Sequence, residues 1–142
     1  MVDVVSSDKR SALMSRIRHK DTLPEMRVRK GLWQSGLRYR LHARELPGKP
    51  DLVLPRWNAC VFVHGCFWHH HDGCQNFRLP RTRPRFWKDK LAGNKRRDIE
   101  SISALDATGW RVAVVWECAI RADCDRVIAM LARWIRSGKR SM

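Results

Sequence analysis

The stretch from residue 50 to residue 74 gathers side chains that could carry out hydrolytic chemistry. A lone carboxylate at Asp51 is followed by a run of imidazoles and thiols: His64, Cys66, His69, His70, His71 and Cys74. Carboxylate and carbonyl oxygens are ligands that Mg²⁺ prefers, imidazoles transfer protons near neutral pH, and thiolates with imidazole bind zinc. So many such groups in one stretch indicate a hydrolytic site, because packing alone does not require them.

Asp51 gains a catalytic interpretation only from its predicted neighbours. By itself, an Asp after Pro50 is typical of a turn in which the carboxylate accepts backbone donors. Two β-prone runs, residues 51–54 and 59–63, flank the turn-like segment Pro55-Arg-Trp-Asn58 and could form a hairpin. That hairpin would place Asp51 near His64 at one open end, where a Mg²⁺ ion could stabilise the charge of a phosphodiester transition state.

A second metal site is indicated by the thiols. Three zinc-type ligands are available at Cys66, His71 and Cys74, and Cys118 after a predicted strand could complete a tetrahedral set. An odd total of five cysteines, without an export signal, argues against a disulfide framework. We expect a closed structural zinc site rather than free thiols, although the residues alone do not say which histidine does which job.

The aromatic residues of this region allow two interpretations. Phe67 and Trp68 lie within the ligand-rich loop, and Trp87 follows the basic stretch 81–85. They could simply pack together, but aromatics beside arginines can also wedge between base pairs or stack on bases. Met14, on a predicted basic helix, could be another wedge, and a core methionine is the plainer alternative.

The net charge of the chain indicates what kind of molecule it binds. Lys and Arg total 29 against 14 Asp and Glu, a net charge of +15. The basic residues cluster in two runs, 8–30 and 78–97, which flank the candidate site. A solvated face would explain either run alone, but the pair favours a polyanion such as nucleic acid. An anionic membrane surface fits less well, because no basic amphipathic helix with a large apolar face is present.

The short apolar runs and the N-terminal residues predict a cytoplasmic protein. No apolar run exceeds about five residues, whereas a membrane helix needs roughly 20. The N-terminal residues lack the basic start and apolar stretch of a signal peptide. A length of 142 residues, with no repeat or linker, predicts one domain that spans 1–142.

Helices and strands alternate along the chain in a mixed α/β order, with a sheet between helices. Thr22-Leu-Pro-Glu25 is a capping-box pattern that begins a helix, and Gly36 is a suitable residue to end it. The remaining predicted elements are a helix over 9–18, strands over 37–42, 51–54, 59–63 and 110–116, and helices over 86–107 and 125–135.

These motifs together resemble the very short patch repair (Vsr) DNA mismatch endonucleases of bacteria. The shared features run in order across nearly the whole chain: Met14, Thr22-Leu-Pro-Glu25, Pro47-Gly-Lys-Pro-Asp51, Val63-His-Gly-Cys-Phe-Trp-His69, Phe86-Trp87, Gly109-Trp-Arg111 and Trp116-Glu-Cys118. The Gly-Cys-Phe-Trp-His block is highly specific. The resemblance implies a restriction-endonuclease-like fold and a nick in one strand beside the T of a T·G mismatch, which arises when 5-methylcytosine deaminates.

The resemblance also implies roles for particular residues. Catalysis would use Asp51 as the Mg²⁺ carboxylate, His69 as the general base, His64 at the phosphate and Glu25 as a supporting acid, unless Glu25 serves only as the helix cap. The main-chain carbonyl of Val63 would also bind Mg²⁺, and the structural zinc would be held by Cys66, His71, Cys74 and Cys118. The major-groove wedge would be Phe67, Trp68 and Trp87, with Met14 on an N-terminal DNA-contacting arm over 1–20 as its minor-groove counterpart.

The chain departs from the family pattern in a few places. Two residues, Asp72 and Gly73, separate His71 from Cys74 where one is familiar, so His70 becomes a rival zinc ligand. Val63 stands where Thr is familiar, although a main-chain carbonyl does not depend on the side chain. Restriction-type sites normally carry Glu-x-Lys on the second strand, and Phe62-x-His64 stands there instead.

Two other functions remain open on the sequence. The chain could be a nuclease of the same fold that acts on other DNA, such as a restriction partner, or a DNA-binding module without catalysis. The expected partner is double-stranded DNA with a T·G mismatch, with other mismatch-repair proteins as further candidates and no membrane. We expect a nucleoid-associated monomer, because a nick in one strand needs no dimer.

Overall fold

The computed structural model describes residues 21–75 and 77–140. The elements of this part, in chain order, are α1 (Leu23–Gln34), β1 (Arg40–Leu41), β2 (Leu52–Leu54), a 3-10 turn (Pro55–Trp57), β3 (Ala59–His64), α2 (Pro84–Ala107), β4 (Arg111–Trp116), α3 (Glu117–Ala122) and α4 (Cys124–Ser137). None of these helices combines the length and the apolar character that crossing a membrane requires. The predicted helix over 9–18 and Met14 lie outside the described residues, and the single domain over 1–142 stays a prediction.

The strands form one mixed sheet in the order β1-β2-β3-β4. β2 pairs antiparallel with both β1 and β3, whereas β3 pairs parallel with β4. The predicted hairpin between β2 and β3 is therefore confirmed. Its turn is closed by a 3.1 Å hydrogen bond from Asn58 N to Pro55 O, with Asn58 at a φ of 53°, a left-handed conformation that Asn tolerates better than most residues.

The sheet buries an apolar cluster on each face. On one face, strand residues such as Val61 and Val115 pack with α1, α3 and α4. On the other, Val53 and Phe62 pack with Leu105 of α2. Because successive strand residues point to opposite faces, a continuous apolar run is what a doubly covered strand requires. The mixed α/β architecture predicted from the sequence is confirmed.

Helix α1 begins and ends at the predicted signals. The Thr22 hydroxyl accepts a hydrogen bond from Glu25 N at 3.4 Å, which caps the first turn. At the other end Gly36 has a φ of 86°, and Leu37 N and Gly36 N donate to Leu32 O and Trp33 O, both at 3.0 Å. This is a Schellman motif, which satisfies carbonyls that the helix leaves unpaired.

One predicted strand is shorter than expected, and one helix was not predicted. The strand expected over 37–42 extends only over Arg40–Leu41, because Leu37 is committed to the end of α1 and His42 turns away with a φ of 50°. Helix α3 was not predicted, since six residues are too short to show a helical period. Cys118 therefore lies in a helix rather than in a loop after β4.

Arg111, at the start of β4, is a buried cation that joins three elements. Its guanidinium donates to the carbonyls of Trp57 at 2.6 Å, Ile135 at 2.8 Å, Lys139 at 3.0 Å and Trp134 at 3.1 Å. The last carbonyls of a helix lack partners within the helix and carry partial negative charge. Arg111 satisfies them in α4 and ties that helix to the sheet.

Two helical glycines provide a matched test of packing. A Cβ added at Gly31 would lie 2.5 Å, 2.7 Å and 2.9 Å from three carbons of Ile128, whereas one added at Gly93 would approach only Arg97, at 3.5 Å. We expect Gly31→Ala to lower the free energy of unfolding by about 1–2 kcal/mol, because overpacking outweighs the gain in helix propensity. Gly93→Ala should raise it by up to about 1 kcal/mol. Denaturant unfolding of both variants measures these changes, and stabilisation by Gly31→Ala would contradict the packing described for α1 and α4.

Candidate active site and metal cluster

An open cleft of about 690 Å³ lies where the start of β2 meets the end of β3. Its walls come from the start of α1, the segment between β1 and β2, the end of β3 with the loop that follows it, helix α2 and the start of α3. The predicted site residues that line it are Asp51, Val63, His64, Phe67, Trp68 and His69. Asp98 of α2, which belongs to none of the sequence motifs, also lines the cleft.

Asp51 lies at the entrance to β2 and is tied to the end of β3. Its Oδ2 accepts a hydrogen bond from Val63 N at 2.7 Å. Burial, and then a hydrogen bond with Glu25, raise the pKa of Asp51 to about 8, against the opposing effect of the Val63 N–H. A cation beside this carboxylate would favour its charged form. The turn-like role of Asp51 and a metal-binding role are thus compatible.

Glu25 reaches the cleft through Asp51 rather than directly. Its side chain on α1 is buried, and its Oε2 accepts from Asp21 N at 3.0 Å and from the Arg29 guanidinium. His42 Nε2 lies 3.4 Å from the same oxygen. Hydrogen bonds from Arg29, and then from His42, lower the pKa of Asp21. Glu25 therefore acts in the helix start and as a neighbour of Asp51.

The imidazoles of His64 and His69 are stacked in parallel. Their ring centroids are 3.7 Å apart with an interplanar angle of 1°, and Trp116 meets His64 edge-on at 5.2 Å. His69 Nδ1 donates to Asp98 Oδ2 at 2.6 Å. Because Nδ1 carries the proton, Nε2 of His69 is left as an acceptor. The arrangement is a carboxylate–imidazole pair held against a second imidazole.

His64 differs from His69 in its surroundings. It is only 4% exposed, and burial, and then the charge of His69, lower the pKa of His64 to about 4, opposed by Asp98. The ring is therefore neutral near pH 7 and can donate one hydrogen bond and accept another.

Four side chains come together in a cluster that could hold a metal ion. One ligand atom from each of Cys66, His71, Cys74 and Cys118 lies within 4.8 Å of all the others. His71 Nδ1 is 3.5 Å from Cys118 Sγ, and its ring stacks on Trp116 at 3.9 Å. Three of the four ligands belong to the loop after β3, and Cys118 is supplied by α3. Three thiols and one imidazole match the ligand types of a four-coordinate tetrahedral site.

The rival zinc ligand His70 and the remaining cysteines lie outside this cluster. His70 stacks on Phe77 at 4.5 Å and its Nε2 is 3.8 Å from an oxygen of Asp72. Cys124 packs partly buried against the core at the start of α4. Burial raises the pKa of the Cys60 thiol to about 12, as expected for an inert core residue. The structure thus brings His71, and not His70, together with the thiols.

The aromatic residues form a half-buried group beside the cleft. Phe67, Trp68 and Trp87 have ring centroids separated by 5.1 Å, 5.6 Å and 6.0 Å. Phe86 meets Trp87 at 5.3 Å, is 43% exposed, and is covered by the Arg83 guanidinium at 4.4 Å. The group combines packing with partial exposure, so both interpretations of the sequence have a physical basis.

Asp98 could not be found from the sequence, because it lies 29 positions after His69 and belongs to no local motif. Asn94, one helical turn earlier, donates to Trp68 O at 3.2 Å. The packing of α2 against the loop after β3 shows that this helix contacts both the imidazole of His69 and the main chain of Trp68.

Comparison with known proteins assigns the chain to a family. The family model for the DNA mismatch endonuclease Vsr matches residues 2–76, which contain the hairpin and most of the loop after β3. The chain belongs to the Vsr family. It is 45% identical over 121 residues to the DNA mismatch endonuclease Vsr of Escherichia coli, covering 85% of this chain and 77% of that protein.

Two further relatives are named as nicking enzymes. The type II nicking enzyme V.XorIIP of Xanthomonas oryzae is 48% identical over 120 residues, covering 84% of this chain and 88% of that protein. The type II nicking enzyme V.NmeAIP of Neisseria meningitidis is 40% identical over 138 residues, covering 96% and 98%. Family membership makes this Vsr-family chain a DNA nicking endonuclease, a hydrolase whose partner is DNA.

The metal-binding capacity of the thiol cluster can be tested with two adjacent histidines. We expect His71→Ala to weaken Co²⁺ binding to reduced, metal-free protein and to change the absorption spectrum of the bound ion, because it leaves three thiolates without the imidazole that completes the four converging ligands. His70→Ala should leave that spectrum unchanged, since His70 faces Phe77. Absorption spectroscopy during Co²⁺ titration measures both, and equal spectra for His71→Ala and unmodified protein would rule out the ligand set described.

Proposed function

We propose that this chain makes a Mg²⁺-dependent nick in one strand of duplex DNA, beside the T of a T·G mismatch. The observation that carries the proposal is a single cleft that contains Asp51, His64, His69 and Asp98 beside an aromatic group. The family description and the name of the Escherichia coli relative support the mismatch as substrate. The mixed sheet and its flanking helices support a restriction-endonuclease-like fold.

Asp51 and the main-chain carbonyl of Val63 would hold the Mg²⁺ ion. The fit rests on the donor set, since Asp51 is a carboxylate in a buried setting, hydrogen-bonded to a second carboxyl at Glu25, and hard oxygen ligands are those that Mg²⁺ prefers. When bound, the ion would supply electrostatic stabilisation of the negative charge that develops on the phosphodiester. Glu25 would support Asp51 from behind rather than contact DNA.

His69 would be the general base. The hydrogen bond from Nδ1 to Asp98 holds the ring in one tautomer and orientation, so that Nε2 can take a proton from water. Asp98 would then stabilise the imidazolium that results, as the carboxylate of a catalytic triad does. The stacked His64 fixes the plane of His69 and, as a neutral ring, could donate a hydrogen bond to a phosphate oxygen.

The thiol cluster would hold a structural zinc ion. Four protein ligands leave no open position for substrate, so the site would be closed. The position of this zinc site would matter for catalysis. Its ligands Cys66, His71 and Cys74 belong to the loop that also carries Phe67, Trp68 and His69. A metal there would hold the aromatic and catalytic residues in a common frame.

Phe67, Trp68 and Trp87 would form the wedge that opens the mismatched site. Their mutual packing pre-orders the rings, and their partial exposure leaves surface for base contact. Met14, outside the described residues, remains the predicted minor-groove counterpart. A monomeric state and contacts with other repair proteins also remain predictions.

A nicking assay on a duplex panel tests the proposed function. The panel contains one T·G mismatch, its fully paired T·A and C·G versions, and a 5-methylcytosine version in the same sequence. We expect Mg²⁺-dependent cleavage of one strand of the T·G duplex, and at least a hundredfold less cleavage by Asp51→Asn, since charge stabilisation and positioning both depend on that carboxylate. Equal cleavage of paired duplexes would instead favour a nuclease for other DNA.

Asp98 offers a sharper test of the mechanism. We expect Asp98→Asn to lower the single-turnover nicking rate on the order of 10²–10⁴-fold, because an amide can hold His69 in the wrong tautomer. Asp89→Asn, at an exposed carboxylate of the same helix, is the matched control and should keep the rate. Saturating enzyme separates this effect from DNA affinity, and a normal rate for Asp98→Asn would remove the carboxylate–imidazole pair from the mechanism.

The proposed aromatic wedge is tested by comparing the affinities for mismatched and fully paired DNA. We expect Trp68→Ala to weaken binding of the T·G duplex by about 1–3 kcal/mol, the usual contribution of a stacked aromatic, and to weaken binding of paired DNA less. Trp33→Ala is the control, because Trp33 is 53% exposed and does not line the cleft. Fluorescence anisotropy at fixed salt measures both affinities. Equal losses on the two duplexes would assign Trp68 to general DNA contact.

A further inference from the structure

The described residues contain three groups of potential metal ligands: the thiol cluster, His64 with His69 and Asp98, and a third group next to Asp51. One ligand atom from each of Asp21, Glu25 and His42 lies within 4.8 Å of the others. Two carboxylates and an imidazole could in principle bind a divalent cation. We call these three residues the rear cluster.

The rear cluster already contains a cation supplied by the protein. Nη2 of Arg29 lies 2.6 Å from Asp21 Oδ1 and 2.9 Å from His42 Nε2, and the same atom donates to Glu25 Oε2. The Arg29 side chain is 12% exposed and that of Glu25 only 2%. One guanidinium nitrogen thus meets every potential ligand of the cluster, where a metal ion would otherwise have to sit.

Arg29 and His42 are both held in place by other contacts. The Tyr39 hydroxyl donates to Arg29 O at 2.9 Å, and Arg29 Nη1 lies 3.1 Å from Met26 Sδ. His42 N donates to Asp51 O at 3.1 Å, so the backbone of His42 is joined to the residue that the cluster supports. The rear cluster and Asp51 therefore form one connected network.

Electrostatics explain why this network needs a cation. Glu25 hydrogen-bonds Asp51, so two carboxyls meet in a buried setting with Asp21 close by. Buried like charges are costly unless a proton or a cation compensates them. A guanidinium is always charged and presents several donors in a fixed plane, so it can compensate and orient at once.

We propose that Arg29 is a positioning residue that serves as the built-in cation of the rear cluster. It holds Glu25 against Asp51, and it keeps divalent metal out of the rear cluster, so that metal binds only on the cleft side. The consequence for nicking rests on the proposed function, whereas the exclusion of metal does not.

The number of Mn²⁺ ions bound per chain tests the exclusion directly. Electron paramagnetic resonance of free Mn²⁺, without DNA, counts the ions bound by the full chain. We expect Arg29→Met and the more conservative Arg29→Gln to bind one ion more than the unmodified protein. Arg29→Lys keeps the charge and should keep the original number, and so should Arg133→Met, an exposed arginine on α4. Adding His42→Ala to Arg29→Gln should remove the extra ion.

An unchanged number of ions in both Arg29→Met and Arg29→Gln would overturn the exclusion. Thermal unfolding of each variant shows whether it is folded when its bound Mn²⁺ is counted. If Arg29→Met does not fold, Arg29→Gln decides the test, because Gln can still donate hydrogen bonds to the carboxylates. An extra ion that survives His42→Ala would place the new site elsewhere and would equally overturn the proposal.

Single-turnover nicking of the T·G duplex tests the positioning role. At saturating Mg²⁺ we expect Arg29→Gln to be about 10–100-fold slower, the usual loss when a residue that orients a metal ligand is removed. Arg29→Lys should recover part of the rate, and Arg133→Met should be unaffected. A normal rate for Arg29→Gln would overturn the positioning role. A normal rate for Asp51→Asn would instead overturn the proposed function, while the Mn²⁺ counts would still decide whether Arg29 excludes metal.

Discussion

The parallel pairing of β3 with β4 is the constraint on which the rest of the site depends. Parallel strands end at the same edge of a sheet, and the register sets His64 opposite Trp116. The chain then leaves β3 into the loop that begins at Cys66, and leaves β4 into the helix that carries Cys118. Two segments far apart in sequence thus start side by side, and Trp116 contacts both His64 and His71.

The antiparallel pairing of β2 with β3 supplies the opposite wall. The start of β2 lies beside the end of β3, so the carboxylate of Asp51 reaches the main chain of Val63. Asp51 enters the cleft from this hairpin, with Glu25 behind it, whereas His69 is paired with Asp98 of α2. A buried acidic wall is stable only when it is compensated, and Arg29 supplies a fixed positive charge behind it. The cleft side remains available to a metal ion.

Helix α2 connects catalysis to recognition. Its inner face holds the loop after β3 at several points, since Asp98 orients His69, Asn94 binds the Trp68 carbonyl, and Lys95 pairs with Asp72. Its exposed residues include Lys88, Lys90, Arg96 and Arg97, which could meet phosphates. If DNA displaced Trp68, the movement would act on the same helix that orients His69, the proposed general base. One basic helix can serve both purposes because its two faces have different partners.

The sequence by itself determined the mixed α/β order, the β2–β3 hairpin, both ends of α1 and the family, because each depends on neighbouring residues or on a contiguous motif. It also gave Cys66, Cys74 and Cys118 as zinc ligands, but it left His70 as a rival of His71. Adjacent residues have nearly the same spacing from the cysteines, and only the folded loop shows which imidazole faces the thiols. Tertiary structure alone brought Asp98 to His69 and Arg29 to the carboxylates. These contacts join separate elements, and no local pattern records which faces of two elements will meet. The short strand β1 and helix α3 were likewise decided by packing, because segments of two and six residues carry no reliable period.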